Sequence, residues 1–273
     1  MLTISNGLSA AFSPVMAPFV KLPLTGMIVI SVLTGVLMLI IYKYTSNQHG
    51  ITRAKDRIKA HFLAIMLYKD SLGVLLKSIG NILRWNAVYM AHQLRPLAVM
   101  IVPVLLLLVQ LNFWYGYRPY RVGEEAVINV RVDRSVNLFD TPATMTADEG
   151  VQVQTAAVRR PLSGEIAWRV KALTPGEHTL TIDVGGQTAA KRFVVGDAER
   201  LVRLAPLRHD GNFWDGLLYP GEKKLAGPIS AVNVNYPGVE MNVLGWELHW
   251  IIVYFVLSIL FGLSMKGIFH VDI

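Results

Sequence analysis

Residues 27–62 read MIVISVLTGVLMLIIYKYTSNQHGITRAKDRIKAHF, a sequence that joins an apolar run to a strongly basic one. The apolar run begins at Leu24, and Leu24–Tyr42 is 19 residues without a charge. A helix of about 20 such residues crosses the hydrocarbon core of a bilayer. The basic run contains Lys43, Arg53, Lys55, Arg57 and Lys59. Such a junction is typical either of a nucleic-acid-binding patch or of a membrane helix that has emerged into the cytoplasm.

The composition favours a membrane protein with an attached polar region. Of the 273 residues, 53% are hydrophobic and 16% are charged, and the mean hydropathy is +0.42. Soluble domains usually carry about 25% charged residues. The net charge of +7 would also fit nucleic-acid binding. The chain contains no cysteine, which excludes disulfides, thiolate metal sites and cysteine nucleophiles.

Two further stretches approach spanning length. Neither Leu97–Phe113 nor Leu248–Met265 contains Lys, Arg, Asp or Glu, and tryptophan and tyrosine residues lie at their ends, as they often do at membrane interfaces. Membrane helices tolerate an internal proline such as Pro103 when neighbouring groups satisfy the freed carbonyl. Residues 1–23 lack the basic region of a signal peptide. We therefore predict three retained transmembrane helices.

The distribution of charge predicts the orientation. Residues 43–96 contain nine Lys or Arg and two acidic residues. Residues 114–247 contain fifteen Lys or Arg and sixteen acidic residues, which nearly cancel. Short loops with an excess of Lys and Arg stay in the cytoplasm, while long domains can be translocated regardless of charge. We expect residues 43–96 and the C-terminus to be cytoplasmic and the N-terminus to be outside. The basic run is then mainly a topology signal, with nucleic acid, including ribosomal RNA, and anionic lipid as alternative ligands.

The cytoplasmic segment has the periodicity of helices. Its apolar residues recur in alternating steps of four and three, which is typical of a coiled-coil-like seam. The members of this seam are Ile58, Phe62, Ile65, Leu72, Leu76, Ile79 and Leu83. Asp70 and Ser71 can cap a second helix, so we favour a hairpin that turns at Tyr68–Ser71 over a single kinked helix. We expect its helices to bury each other, with a groove for a partner as the alternative.

The region that follows the second span alternates apolar and polar residues, which is the pattern of β-strands. The predicted strands are 125–133, 150–155, 164–172, 176–184 and 188–195, with Gly185 and Gly186 in the last turn. Short strands at this spacing are typical of an immunoglobulin-like antiparallel β-sandwich, with Trp168 as its core aromatic residue. We expect residues 118–200 to fold alone and residues 206–245 to be irregular.

The predicted fold is an α-helical membrane protein with three transmembrane helices, a cytoplasmic helical hairpin and an extracytoplasmic immunoglobulin-like β-sandwich domain. In chain order, the segments are an N-terminal interfacial segment (1–23), the first transmembrane helix (24–42), the cytoplasmic helical segment (43–96), the second transmembrane helix (97–117), the β-domain with an irregular C-terminal part (118–247), the third transmembrane helix (248–266) and a cytoplasmic tail (267–273). We assign the chain to a cell membrane, the inner membrane of a bacterium.

The sequence contains no convincing catalytic motif. Its seven histidines are scattered, and neither metal-ligand spacing nor a phosphate-binding loop occurs. We therefore predict no enzymatic activity, no cofactor and no metal. Because the spans also lack charged residues, ion transport is disfavoured. The polar residues of the spans are candidates for lining a groove or for inter-helix contacts, and they are Gln110, Asn112, Ser31, Thr34 and Ser258.

The layout of the helical part resembles the YidC/Oxa superfamily of membrane-protein insertases. The features that carry the resemblance are an outside N-terminus, a first span, a basic cytoplasmic helical segment and a second span with a proline in RPLAVMIVP, residues 95–103. The resemblance covers Leu24–Phe113 and the last span, about half of the chain, and rests on topology. It implies that the protein helps hydrophobic segments enter the bilayer through a polar groove, and that the cytoplasmic helices meet the ribosome or the nascent chain.

Two functions are therefore considered. The first is a YidC/Oxa-like insertase or assembly factor, and the second is a non-catalytic accessory or scaffold subunit of a larger membrane complex, docked through the β-domain and the spans. A carbohydrate-binding envelope sensor would rest on the β-sandwich alone. Expected partners are membrane lipids and other membrane proteins, either nascent chains or complex subunits, with possible ribosome contact and no DNA. A working groove should gather several polar groups at one depth.

Overall fold

The structure is a computed structural model that describes residues 7, 9, 12–133, 136–197, 199–211, 213–220, 222–225 and 227–269. Its helices are α1 (Pro23–Thr45), α2 (Gln48–Leu67), α3 (Leu72–Tyr115), α4 (Phe213–Leu218) and α5 (Trp250–Met265). Within the described residues, three helical stretches are long and apolar enough to cross a membrane, namely Pro23–Thr45, Leu72–Tyr115 and Trp250–Phe269. This result confirms the prediction of three helices of spanning length.

Helices α2 and α3 form a hairpin that turns at residues 68–71, where the sequence predicted it. The side chain of Asn47 caps α2, since its Oδ1 accepts a hydrogen bond from the Gly50 N–H at 2.9 Å. Helix α3 then runs for 44 residues and contains both Pro96 and Pro103. The second arm of the hairpin therefore continues directly into the second apolar stretch.

In the part of the β-domain that the structure describes, nine strands form two sheets, and a separate hairpin follows them. In chain order the strands are β1 (Glu125–Val132), β2 (Ala143–Ala147), β3 (Val151–Val153), β4 (Val158–Arg160), β5 (Glu165–Ala172), β6 (Gly176–Val184), β7 (Gln187–Val195), β8 (Leu207–His209), β9 (Ile229–Val234), β10 (Glu240–Val243) and β11 (Trp246–His249). The larger sheet has the order β3-β5-β1-β9-β8, with β4 also paired to β5, and the smaller has the order β2-β6-β7. All of the pairs within these sheets are antiparallel.

Residues of both sheets form one hydrophobic core, which gives the domain the two-layer organisation of a β-sandwich. The inward positions alternate along each strand, so that β1 has buried residues at every second position from Ala126 to Val132. Trp168 lies in this core with 3% of its surface exposed. It is the register partner of Ile128 on β1.

Strand β9 corrects the expectation that residues 206–245 are irregular. It pairs with β1 on one side and β8 on the other, and it therefore lies inside the larger sheet. A fragment that ends at residue 200 would expose the β1 edge and remove Ile229, Val232 and Val234 from the core. Because β9 completes the larger sheet and its core, we expect an independently folding fragment to extend through β9 rather than to end at residue 200.

The chain forms two compact units. The first consists of the chain up to Gly26 and Leu108–Trp250, and the second consists of Met27–Leu107 and the chain from Ile251. In the first unit, the Tyr115 hydroxyl donates a hydrogen bond to the Pro23 carbonyl oxygen at 3.0 Å. The Leu204 N–H donates to the Phe113 carbonyl oxygen at 2.8 Å. The last turn of α3 thus packs with the β-domain, whereas the hairpin belongs to the second unit.

Candidate functional site

Gln110 is buried in the first unit, where 1% of its surface is exposed. Its Oε1 accepts a hydrogen bond from the Ser9 hydroxyl at 3.0 Å, and Ser9 is itself buried. Of the two alternatives for this amide, the structure shows a contact within the protein rather than a position facing a groove. The partner lies in the N-terminal segment, which the sequence suggested only as an interfacial segment, so sequence reasoning missed Ser9.

Asn112 lies apart from this contact. It is half-buried on the last turn of α3, and its carbonyl oxygen accepts a hydrogen bond from the Gly116 N–H at 2.9 Å. A Cβ atom placed on Gly116 would lie 2.3 Å from Asn112 Oδ1, so the amide folds over the end of the helix. Residues two apart on a helix do not share a face, and Asn112 does not join Gln110 in one polar site.

We predict that Gln110→Leu lowers the free energy of unfolding by about 0.6–2 kcal/mol, because the inter-segment hydrogen bond is lost in an apolar environment. Thermal denaturation of the full chain in mild detergent would measure this change. Ser9→Ala should have a similar effect, and combining the two substitutions should add little. If the two losses are fully additive, each side chain stabilises the fold independently and not through the Ser9–Gln110 hydrogen bond.

Three other candidate residues come together in the second unit, between α1 and α5. Ser31 is fully buried, and its hydroxyl donates a hydrogen bond to the Tyr254 carbonyl oxygen at 3.5 Å. The Tyr254 hydroxyl lies beside the hydroxyls of Thr34 and Ser258. Neither the Tyr254 hydroxyl nor Ser258 Oγ reaches full hydrogen-bonding geometry with a described group. Sequence reasoning missed Tyr254, because a tyrosine in a span is also an ordinary apolar residue.

Small residues allow α1 and α5 to approach closely at this hydroxyl cluster. A Cβ atom on Gly35 would lie 3.1 Å from the Ser258 carbonyl oxygen and 3.3 Å from the Gly262 backbone nitrogen. Each helix therefore carries a pair of small residues four positions apart, Ser31 with Gly35 and Ser258 with Gly262. This spacing is common where membrane helices pack together. The cluster is an inter-helix contact and not an open groove.

The predicted basic anchor lies at the end of α1 and along α2. Lys43, Arg53, Arg57 and Lys59 are exposed, and Lys55 is half-buried. Lys55 Nζ lies 5.7 Å from the centre of the Tyr89 ring, and Arg57 Cζ lies 5.9 Å from the centre of the Trp85 ring. These cation–π contacts hold α2 against α3. Two members of the basic run therefore also have a structural role within the hairpin.

The apolar seam of the hairpin departs from expectation. Phe62 is 58% exposed, Leu72 is 75% exposed and Leu76 is 68% exposed. The expectation that the two helices bury each other along this seam is therefore wrong. The reason is that α2 and α3 contact each other at other positions, closer to the spans, where a Cβ atom on Gly50 would lie 2.8 Å from His92 Nε2.

We define the hairpin apolar face as the exposed large apolar residues near the turn between the two arms. They are Phe62, Leu63, Met66, Leu67, Leu72, Leu76, Ile79 and Leu83. On each arm these residues recur three or four positions apart, so they share one side of their helix. Large exposed apolar patches on soluble proteins mark interaction surfaces. Lys59, Lys69 and Lys77 are exposed along the same arms, so the surface combines apolar and cationic groups.

The β-domain contains buried charged groups with structural partners. Lys191 Nζ donates hydrogen bonds to the Ala205 carbonyl oxygen at 2.7 Å and to Glu222 Oε2 at 2.8 Å. Burial lowers the pKa of Lys191 to about 8, although the carboxylate of Glu222 opposes the shift. His178 lies between Asp148 Oδ1 and the Thr174 carbonyl oxygen, at 2.8 Å from each. These contacts tie loops to strands and place no nucleophile beside a base.

The described residues contain no group of three or more His, Cys, Asp or Glu side chains that could hold a metal ion. No protein-family model matches the chain, and no curated protein matches its sequence. One similar solved structure is the S-layer protein rSbsC(31-844), with 23% identity and a TM-score of 0.24. The match covers 30% of this chain and 12% of that protein. A structural similarity this low carries no argument about fold or function.

Proposed function

We propose that the chain is a YidC/Oxa-like insertase or assembly factor for membrane proteins. In this proposal its spans cross the inner membrane of a bacterium, with the hairpin in the cytoplasm. The β-domain, an immunoglobulin-like sandwich, lies outside. The observation that carries the proposal is the hairpin apolar face, whose members on α3 lie on the arm that continues directly into a helix of spanning length.

The chemistry of this face suits a hydrophobic segment that has not yet entered the bilayer. An apolar helix can bury its side chains against exposed leucine, phenylalanine and methionine side chains at helical spacing. Methionine adapts to varied apolar partners, and Met66 is 64% exposed on this face. Because Gln110 is buried, the proposal places substrate capture on the hairpin rather than in a polar groove around that residue.

A photo-crosslinking side chain at Leu76 tests the proposal, with Lys77 as the matched control on the adjacent position of the same helix. We expect Leu76, which is 68% exposed, to crosslink to ribosome-bound nascent membrane proteins in native membrane vesicles. The signal should weaken when the apolar segment of the nascent chain is replaced by a polar one. Equal crosslinking from both positions, or no dependence on the nascent segment, would contradict capture by the apolar face.

The second candidate is an accessory or scaffold subunit of a membrane complex. It is favoured by the polar groups of the spans, since the Gln110–Ser9 bond and the hydroxyl cluster are packing contacts. It is also compatible with α5, whose Ile252, Val256 and Ile259 are exposed and could pack against partner helices. In the crosslinking experiment, a single stoichiometric partner that appears without translation would favour this candidate.

The proposed orientation gives a separate prediction. In this cysteine-free chain, a cysteine at Lys69 marks the hairpin turn and a cysteine at Leu162, which is fully exposed, marks the β-domain. An impermeant thiol reagent added to intact cells should label Leu162→Cys and leave Lys69→Cys unlabelled until the membrane is opened. The reverse pattern would overturn the orientation.

A further inference from the structure

The hairpin has a second surface at the end nearest the spans. There α2 and α3 form the walls of an open cleft of about 430 Å³. The polar and aromatic residues that line it include His49, Arg53, Trp85 and His92. The helices approach closely beside the cleft because residue 50 is a glycine, where a Cβ atom would lie 2.8 Å from His92 Nε2. The cleft is therefore built by both arms of the hairpin.

Chain continuity places this cleft close to the two spans. His49 lies four positions after Thr45, the last residue of α1, and His92 lies five positions before Leu97, where the second apolar stretch begins. At 1.5 Å per helical residue, five positions correspond to about 8 Å. The end of the cleft that His49 and His92 line is thus near the level of the lipid headgroups, and Trp85, twelve positions before Leu97, lies farther from the bilayer. This placement rests on the proposed membrane insertion of the spans.

The lining of the cleft suits an anion with an apolar attachment. Arg53 is exposed and has no carboxylate partner within the described part of the chain. A guanidinium group binds phosphate oxygens with two parallel hydrogen bonds, and the imidazoles of His49 and His92 can donate further ones. Trp85 and Val88 supply apolar surface. No acidic residue is among the described residues that line the cleft.

We propose that this cleft binds the phosphate group of an anionic phospholipid. Arg53 binds the phosphate oxygens and the two histidines donate hydrogen bonds from the walls, while Trp85 lines the end of the cleft that is farther from the spans. Basic pockets beside membrane helices are suited to anionic headgroups in this way. The lipid would hold the two arms of the hairpin together at the membrane surface, at the end opposite the turn.

Native mass spectrometry of the full chain in mild detergent tests this assignment, with dioleoyl phosphatidylglycerol and dioleoyl phosphatidylcholine as probes. We expect tighter binding of phosphatidylglycerol, and we expect Arg53→Gln to weaken it about tenfold because a charge-assisted contact is lost. The matched control is Arg84→Gln, which removes the same charge from an exposed position of α3 outside the cleft. It should change the affinity less than about twofold. His92→Ala should weaken binding as a second cleft variant.

Each alternative result has a distinct meaning. Equal losses in Arg53→Gln and Arg84→Gln would overturn the site, because the attraction would then come from the overall charge of the hairpin. Inorganic phosphate that displaces the lipid at equal concentration would assign the cleft to free phosphate and overturn the lipid assignment. Lipid binding is measured without any insertion reaction. A chain that binds the lipid but captures no nascent segments would refute the proposed function and leave this inference intact.

Discussion

Trp168→Ala is expected to lower the free energy of unfolding of the β-domain by about 3–5 kcal/mol, the usual cost of deleting a buried aromatic side chain. Trp168 is 3% exposed and lies on β5, which is paired on both sides within the larger sheet. Its ring belongs to the core formed by both sheets. The deletion would leave a cavity at the centre of the domain, which the surrounding strands cannot fill without distortion.

Urea denaturation of a soluble fragment comprising residues 118–249 would measure this loss. Leu162→Ala is the control, since Leu162 is fully exposed and its truncation should change stability by less than about 0.5 kcal/mol. A loss below about 1 kcal/mol for Trp168→Ala would contradict burial of the ring. A fragment of residues 118–200 should show no cooperative transition, because it lacks β9.

The β-domain shows which strands a sequence can reveal. Strands β1, β5, β6 and β7 were predicted to within a residue or two, because each has eight or nine residues of alternating polarity. Strand β9 has only six residues between glycine- and proline-rich segments, and its buried residues, Ile229, Ala231, Val232 and Val234, do not alternate strictly. Its place beside β1 depends on a long-range pairing, which no local pattern encodes. The sequence therefore predicted the class of domain but not the extent of its larger sheet.

The helical part shows a different limit. Hydropathy predicted the three helices of spanning length because length and apolar character are local properties. The periodicity also predicted the apolar seam of the hairpin. The same periodicity, however, is found both in seams that are buried between two helices and in seams that are exposed for binding to another molecule. The sequence singled out Gln110 as a polar group in need of a partner, but the partner, Ser9, lies 101 positions away in sequence. Pairwise contacts at that separation depend on the assembled fold.

Glu222→Ala is expected to lower the free energy of unfolding by about 3 kcal/mol at pH 7, because it leaves the ammonium group of Lys191 buried without its counter-ion. The side chain of Lys191 is 0% exposed, that of Glu222 is 17% exposed, and they are 2.8 Å apart. Replacing both residues in Lys191→Met and Glu222→Leu should restore stability to within about 1 kcal/mol of the original chain. Urea denaturation of the same fragment measures all of these variants. If the double substitution is as unstable as Glu222→Ala, the loss comes from packing around residue 222 and not from the unpaired charge.

The pH dependence of stability provides an independent test of the same buried pair. Burial lowers the pKa of Lys191 from the ordinary 10.5 to about 8, against the opposing effect of Glu222. Between these two values, the unfolded chain binds more protons than the folded chain, so this group makes the domain more stable as the pH rises from about 8 to about 10.5. Lys191→Met should remove that rise, and the difference between the two chains isolates it from other groups that titrate nearby, such as Tyr236, whose pKa is raised by burial. A difference that stays constant across this window would mean that Lys191 keeps its proton in the folded domain, held by the carboxylate of Glu222 despite its burial.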